Sequence, residues 1–295
     1  MTLAHPSSLF EAVAAAPDVI AARHPEIFRN NWAARAKAAT IVVVAFGIAA
    51  AAVVFLDIEW SRVLAGFARL GQFVSVMLPP TYGTTEKLFL YLHAMLETIA
   101  IAFLGTLLAA VFAIPFGFIA ARNVVAQKLI HFVTRRGLDA VRSVDKLIWA
   151  LIWINVVGLG PFAGVLAIMT SDFGLFGKLF SEAVEAADQK AAEGVVSVGG
   201  GHLHRVRFGL LPGVLPVLIG QMLYQMESNT RSATIIGIVG AGGIGAHFQE
   251  QIRLNEWQHV AFLTLLMLIT VAVIDYVSTK VRFAIIGTDR MNATH

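Results

Sequence analysis

The sequence predicts an all-α, polytopic membrane protein with about six transmembrane helices. The 295-residue chain is 57% hydrophobic and 14% charged, with a mean hydropathy of +0.74, whereas soluble domains average about 25% charged residues. Several uncharged runs also approach or exceed the roughly 20 residues that a helix needs to cross a bilayer. The formal net charge of +3 therefore gives no reason to expect a nucleic-acid partner, and the lipid bilayer is the expected surroundings.

The uncharged runs give the spans in chain order. They are residues 38–56, 98–121, 147–171, 208–226, 232–249 and 257–274. Gly158–Pro161 is a turn signal that divides the third run into two helices. Only Glu227 and Arg231 interrupt residues 208–249, so we interpret this stretch as one span followed by a broken or re-entrant, glycine-rich segment.

The positions of the cations predict the orientation, because cytoplasmic loops are rich in Lys and Arg. If the chain reverses at Gly158–Pro161, most of the 22 Lys and Arg residues lie on the side of the N-terminus. The loops on the other side then carry only Arg62, Arg69, Lys87 and Arg253. Without the reversal the cations would divide almost evenly. We therefore expect six spans with both termini in the cytoplasm.

This topology divides the chain into consecutive segments. The expected order is a cytoplasmic N-terminal segment, a retained first anchor, a periplasmic loop, a transmembrane domain and a cytoplasmic tail. An interfacial elbow helix should lead into the third span, because charges recur among the apolar residues just before it. The respective residues are 1–37, 38–56, 57–90, 91–285 and 286–295, with the elbow at 129–146.

A hydrophilic segment, residues 178–212, separates two of the apolar spans. Within it Ser181–Glu193 is rich in Ala, Glu and Lys, which favours a helix. Glu193 is followed six residues later by Gly199, and Leu211-Pro212 follows twelve residues after that. This spacing resembles the coupling loop of type I ABC-importer permeases, in which Glu-Ala-Ala, three residues, Gly, nine residues, Ile, one residue and Leu-Pro follow one another. The resemblance implies that a cytoplasmic ATPase contacts this loop, with candidate residues Glu185, Glu193, Gly199, Leu211 and Pro212.

The segment departs from that family pattern in two places. Gly194 and Val195 replace the two alanines, and Gly209 replaces the isoleucine. Three consecutive glycines, Gly199–Gly201, leave open whether the segment forms a stiff or a loose lever. His202 and His204 do not share a helix face, so a metal site is not expected here.

A second resemblance narrows the family. The block Glu227–Gly245 is similar to permeases of phosphonate-family ABC importers, as are Leu96–Thr106, Ala120–Asn123 and Val157–Gly164. The similarity spans roughly residues 90–285 and implies a type I ABC-importer permease fold in a bacterial inner membrane. It further implies a permease homodimer, a cytoplasmic ABC ATPase dimer, a periplasmic phosphonate-binding protein, and phosphonate, phosphite or hypophosphite as the imported solute.

Other functions are weighed against this one. The sequence contains no G-x-x-x-x-G-K-[ST] motif, so we expect no enzyme activity and no cofactor in this chain, and ATP and Mg should be used by the partner ATPase. A permease for another small solute is the main alternative. An ion-coupled secondary transporter is disfavoured because the two halves show no convincing repeat.

The candidate solute pathway lies at the end of the fifth span. Glu227 and Arg231 have the favourable i,i+4 order for an ion pair on a helix, and charges at membrane depth are usually paired or line a pathway. Two interpretations stay open: the pair only neutralises itself and joins helices, or Arg231 offers a cation to an oxyanion. The motif Gly240–Gly245 matches G-x-G-x-x-G but lacks the flanking strands of a nucleotide site, so we interpret it as a gate. The candidate residues are Glu227, Ser228, Asn229, Arg231, Ser232, Gly240, Gly242 and Gly243.

Overall fold

A computed structural model describes residues 32–57, 59–125 and 127–292, and every regular element in these ranges is a helix. The chain divides after Gln72 into two compact units. The first unit contains α1 (Trp32–Phe55) and most of α2 (Trp60–Met77). The predicted N-terminal segment, 1–37, lies outside the described residues as far as residue 31.

The first unit has a helix at the position of the predicted anchor and a second helix within the predicted periplasmic loop. α1 is 24 residues long and contains an apolar stretch long enough to cross a membrane. Within residues 57–90, the predicted periplasmic loop, α2 forms a helix of 18 residues. The reason is that Arg62 and Arg69 alternate with apolar residues at helical spacing, which gives an amphipathic helix.

The second unit contains the remaining helices. In chain order they are α3 (Thr85–Ala120), α4 (Lys128–Arg142), α5 (Lys146–Val157), α6 (Pro161–Ala186), α7 (Lys190–Ser197), α8 (His202–Ile238), α9 (Ile244–Arg253) and α10 (Trp257–Asn292). Of these, α3, α6, α8 and α10 are long and apolar enough to cross a membrane, and α5 is a shorter apolar helix. With α1, the described chain therefore has the six apolar helices that the sequence predicts.

Local capping explains where the second-unit helices begin. The Thr84 hydroxyl accepts a hydrogen bond from the Lys87 amide and starts α3, six residues earlier than the predicted domain boundary at residue 91. The Asp145 carboxylate accepts from the Leu147 amide at 2.8 Å and starts α5. The chain then reverses through Gly158 and Gly160, both at positive φ, before α6 begins. The predicted division of residues 147–171 into two helices is confirmed.

Close contact between α3 and α6 forms the centre of the bundle. These helices run parallel, with Gly105 beside Ile168 and Gly117 beside Phe180. A Cβ atom at Gly117 would lie 2.7 Å from the Phe180 Cβ, so the backbones can approach only because the residue is small. Buried residues from α3, α6 and α8 fill the core around this contact, among them Ala113, Phe176 and Val214.

Helix α4, at the position of the predicted elbow, packs on the C-terminal half of α6. Lys178 donates to the Asp139 carboxylate at 2.9 Å, and Arg135 pairs with Glu185 at 3.3 Å. The hydrogen bond from Lys178 holds the pKa of Asp139 below its ordinary value. Residues 178–186 thus belong to α6, although the sequence places them in the hydrophilic segment. Lys178 and Glu185 are paired with charges of α4, and the helix continues past Lys178 to Ala186.

The helix is interrupted in the glycine-rich segment after α8, as the sequence predicts. α8 ends at Ile238, the chain turns through Gly240, Gly242 and Gly243 at positive φ, and α9 begins at Ile244. α9 folds back against α8, where Gly245 contacts the backbone of Gly237. The turn lies beside Gly160, whose amide donates to the Gly240 carbonyl at 3.0 Å. The α5–α6 turn and the α8–α9 turn therefore meet at one end of the bundle.

Candidate functional site

The opposite end of the bundle carries the predicted ATPase-coupling residues. Here α7 ends in a Schellman motif, in which the Gly200 amide donates to the Val195 carbonyl and the Gly199 amide to the Val196 carbonyl, both at 2.9 Å. Gly199 has φ +86°, the left-handed conformation that this motif requires. The three glycines thus end the helix in a defined turn geometry.

Two contacts join α7 and the residue before it to the start of α8. An added Cβ at Gly209 would lie 2.5 Å from the Ala192 Cα, so glycine is needed where α7 crosses the start of α8. Near the start of α8, Arg205–Leu210 form a π-helical turn, a feature often found at functional sites. Arg205 also donates to the Gln189 side chain at 3.1 Å. We call residues 187–210 the coupling segment.

The structure separates the five predicted coupling residues. Glu193 lies exposed on α7, and Gly199 forms the turn. Glu185 instead lies on α6, where it accepts from the Arg122 amide at 2.9 Å and pairs with Arg135. Leu211 and Pro212 begin the regular α-helical part of α8.

Other residues contribute an exposed apolar surface to the coupling segment. Val198 and Leu203 are among its most exposed large side chains, at 86% and 81% of their full accessibility. Of the two histidines, His202 contacts the Val124 carbonyl and His204 stacks on Phe208. The ring nitrogen contact of His202 ties the turn to the end of α3.

On α8, the predicted pathway residues fall on two faces. Glu227 and Arg231 form an ion pair at 2.9 Å, with the Arg231 side chain 51% exposed and the Glu227 side chain 12% exposed. Tyr224 and Ile235 are also exposed at helical spacing from them. The pair therefore lies on a surface of this chain, and its geometry is compatible with both interpretations left open by the sequence.

Ser228 and Ser232 add little to that surface, and Asn229 lies elsewhere. The Ser232 hydroxyl donates to the Ser228 carbonyl within the helix. Asn229 is completely buried, because a step of two residues turns the side chain to the opposite side of a helix. The structure therefore does not gather Asn229 and Arg231 into one site.

Asn229 instead joins a buried polar cluster that the sequence analysis missed. Its amide donates to Asp172 and, at 2.7 Å, to the Thr106 hydroxyl, while its carbonyl accepts from Lys146. Lys146 also pairs with Asp172 at 2.9 Å, and Gln225 donates to both Asp172 and Asn229. This cluster connects α3, α5, α6 and α8 around one carboxylate that is only 1% exposed. It is electrically neutral and hydrogen-bonded on several sides, as a buried charge requires.

One sequence signal could have revealed this cluster. Asp172 is a single acid within an apolar stretch that continues to Gly177, and an ionisable residue inside a span suggests a buried partner. The uncharged run 147–171 begins directly after Lys146 and ends directly before Asp172, so neither residue falls within it.

The predicted gate glycines are anchored by α3. The Glu97 carboxylate accepts from the Gly243 amide at 2.9 Å, and the Thr98 hydroxyl accepts from the Ile244 amide at 2.8 Å. Added Cβ atoms at Gly242 and Gly243 would collide with these same two side chains. Glu97 thus caps the start of α9, and Gly240, Gly242 and Gly243 form the turn between α8 and α9.

Comparison with known proteins identifies relatives that share this architecture. Residues 113–283 match the family described as binding-protein-dependent transport system inner membrane component. A putative phosphite transport system permease protein of Stutzerimonas stutzeri, HtxC, is 36% identical over 248 residues, covering 84% of this chain and 87% of the relative. A putative cryptic phosphonate transport system permease protein of Escherichia coli, PhnE2, is 42% identical over 118 residues, which are 40% of this chain and 97% of the relative.

A solved structure shares the same fold. An inward-facing structure of the MetNI methionine ABC transporter aligns with a TM-score of 0.61 at 19% identity, covering 68% of this chain and 99% of the matched chain. At that identity the likeness concerns the fold of the helices. The expected type I ABC-importer permease fold is therefore confirmed.

Proposed function

This chain belongs to the family of binding-protein-dependent transport system inner membrane components, and from that premise we propose that it is the permease subunit of an ATP-driven importer of phosphonates or related phosphorus oxyanions. Phosphite and hypophosphite are included in this solute class. The observation that carries the proposal is the similarity to a phosphite permease along most of both chains. As a multi-pass inner-membrane protein, the chain supplies a path for the solute.

The partners follow from the transport class. A cytoplasmic ABC ATPase dimer binds and hydrolyses ATP with Mg, and a periplasmic phosphonate-binding protein delivers the solute. The permease itself binds no cofactor in this proposal. In this arrangement both termini and the coupling segment face the cytoplasm, in agreement with the uneven distribution of Lys and Arg.

We assign contact with the ATPase to the coupling segment. α7 and the exposed apolar residues Val198 and Leu203 project from the end of the bundle. The Schellman motif and the Ala192–Gly209 contact attach this projection to α8. Because the segment is attached in this way, movement of the ATPase is transmitted to the helix that carries Glu227 and Arg231.

The other half of the pathway comes from a second permease subunit. The Glu227–Arg231 pair lies on an exposed face of α8, and exposing such charges to lipid would cost several kcal/mol. A second copy of the chain, the homodimer predicted from the sequence, would cover this face. We propose that Arg231 then offers a guanidinium to an oxyanion passing between the subunits, since guanidinium forms paired hydrogen bonds with such groups.

Solute uptake tests the proposed function. The full chain, its ATPase and its binding protein are reconstituted in proteoliposomes, and uptake of phosphite, methylphosphonate, phosphate and methionine is measured. We expect at least one phosphorus oxyanion to be taken up, and this uptake should require both ATP and the binding protein. Preferential methionine uptake, or uptake that proceeds without ATP, would contradict the proposal.

Substitution of Gly199 tests the assigned coupling role. In Gly199→Val, a β-branched residue must adopt φ +86°, which strains the turn. We expect ATP-driven uptake to fall about 5- to 150-fold, in proportion to a cost of roughly 1–3 kcal/mol. Gly194→Ala on α7 is the matched control, because an added Cβ meets no atom there. Equal uptake by the two variants would show that the turn geometry does not matter for coupling.

A further inference from the structure

An open cavity of about 570 Å³ lies between the end of α3 and the first turns of α4. Its lining is strongly basic: the residues are Arg122, Val125, Lys128, His131, Phe132, Arg135 and Arg136. The carboxylates in contact with these cations are Glu185, which pairs with Arg135, and Asp139, which pairs with Arg136. Among the described residues, Arg122 and Lys128 form no ion pair. The cavity therefore carries an excess of positive charge.

Two donors in this lining have no acceptor. Arg122 donates through Nε to His131 Nε2 at 3.3 Å, so the Nδ1 atom of the neutral ring carries the proton. That His131 Nδ1 and the Arg135 Nε are both buried without a hydrogen-bond partner among the described residues. Both belong to side chains that line the cavity, and a buried donor left unpaired is costly.

Apolar side chains stand next to these cations. Leu129, Phe132 and Val133 on α4 are 73%, 58% and 58% exposed, and the Arg136 guanidinium lies over the Phe132 ring. A free phosphate ion would leave these residues uncovered. A lipid would cover them with its acyl chains, while its headgroup phosphate reached the cations.

We propose that this cavity binds an anionic phospholipid, with its phosphate group among Arg122, Lys128 and Arg135 and its acyl chains along the exposed apolar face of α4. The site is separate from the exposed Glu227–Arg231 face of α8. It lies beside the coupling segment, because Arg122 and Arg135 both contact Glu185 at the end of α6. A bound lipid would thus fix α4 against the helix that leads into that segment.

Lipid retention measured by native mass spectrometry tests this proposal. The full chain is purified in a neutral detergent and titrated with phosphatidylglycerol, with phosphatidylcholine of the same acyl chains, and with inorganic phosphate. We expect wild type to retain phosphatidylglycerol at least tenfold better than phosphatidylcholine. In the double variant Arg122→Gln/Lys128→Gln we expect a loss of roughly 30-fold, about 2 kcal/mol, because each cation near an anionic lipid contributes about 1 kcal/mol.

Matched variants separate this effect from a folding defect. Arg142→Gln removes an exposed cation of the same helix that does not line the cavity, and retention should stay at the wild-type level. Lys128→Gln alone should lower phosphatidylglycerol retention about fivefold. It replaces the double variant in this test if the double variant does not elute as folded protein. Equal retention of the two lipids, unchanged retention in the lysine variant, or binding of inorganic phosphate without phosphatidylglycerol would overturn the proposal.

Discussion

Two ion pairs in this bundle have the same length but different surroundings. Lys146–Asp172 and Glu227–Arg231 both have a nitrogen–oxygen distance of 2.9 Å. The first joins α5 to α6 and has an almost inaccessible carboxylate, whereas the second lies within one turn of α8 and has a half-exposed guanidinium. Distance alone therefore does not tell what a pair does. Burial and the separation of its partners indicate that the first pair holds the helices together, whereas the second lies exposed on a single helix.

The largest effect should come from breaking the buried pair. Asp172→Ala leaves the Lys146 ammonium without its carboxylate and Asn229 without one acceptor, and we expect a loss of about 3–5 kcal/mol in the free energy of unfolding. Thermal unfolding of the detergent-solubilised chain, followed by tryptophan fluorescence, measures this as a lower Tm.

A double variant checks the cause of that loss. Lys146→Met/Asp172→Leu removes both charges and should recover more than half of the lost stability, because an apolar pair can replace a buried ion pair. If the double variant is as unstable as Asp172→Ala, the hydrogen bonds of Asn229 rather than the charge balance stabilise the cluster.

An intermediate effect is expected at the Lys178–Asp139 pair between α4 and α6, where both side chains are about a quarter exposed. Asp139→Asn should cost about 0.5–1 kcal/mol at neutral pH. Because the pKa of Asp139 is held below its ordinary value, its stabilising contribution is present above an ordinary pKa of about 3.9. It is lost as pH falls through the lower pKa of the folded state.

The pH dependence of unfolding checks this assignment. The Tm difference between wild type and Asp139→Asn should be constant near neutral pH and shrink in acid. Arg136→Gln is the control, because it removes a weaker partner of Asp139. The Arg136 side chain is 65% exposed, and its guanidinium lies 3.4 Å from the Asp139 carboxylate. A difference that grows as pH falls would contradict the direction of the pKa shift.

The sequence could predict the features that depend on neighbours along the chain. The reversal at Gly158–Pro161, the broken segment after Ile238 and the Glu227–Arg231 pair all involve residues a few positions apart. The turn at Gly199 and the helix start at Leu211-Pro212 also depend on local backbone geometry. The continuation of α6 to Ala186 depends on a distant element as well, because Lys178 pairs with Asp139 of α4.

Features that depend on distant residues were missed. The buried cluster needs Thr106, Lys146, Asp172 and Asn229 to meet from four helices, and no local pattern specifies that meeting. Asn229 was grouped with Arg231 because the two are close in sequence. Helical rotation separates them, so closeness along the chain was a poor guide to the exposed and buried sides of α8.

The smallest effect on stability should come from the exposed pair, together with the clearest effect on transport. In Arg231→Leu the lost pair is local and half-exposed, so we expect a loss below about 1 kcal/mol in the free energy of unfolding. ATP-driven uptake in proteoliposomes should nevertheless fall at least about tenfold, because the oxyanion loses its guanidinium. Arg231→Lys keeps the charge without the planar donor pair and should retain intermediate uptake. Near-normal uptake by a correctly assembled Arg231→Leu transporter would favour the other interpretation, in which Glu227 and Arg231 serve only each other.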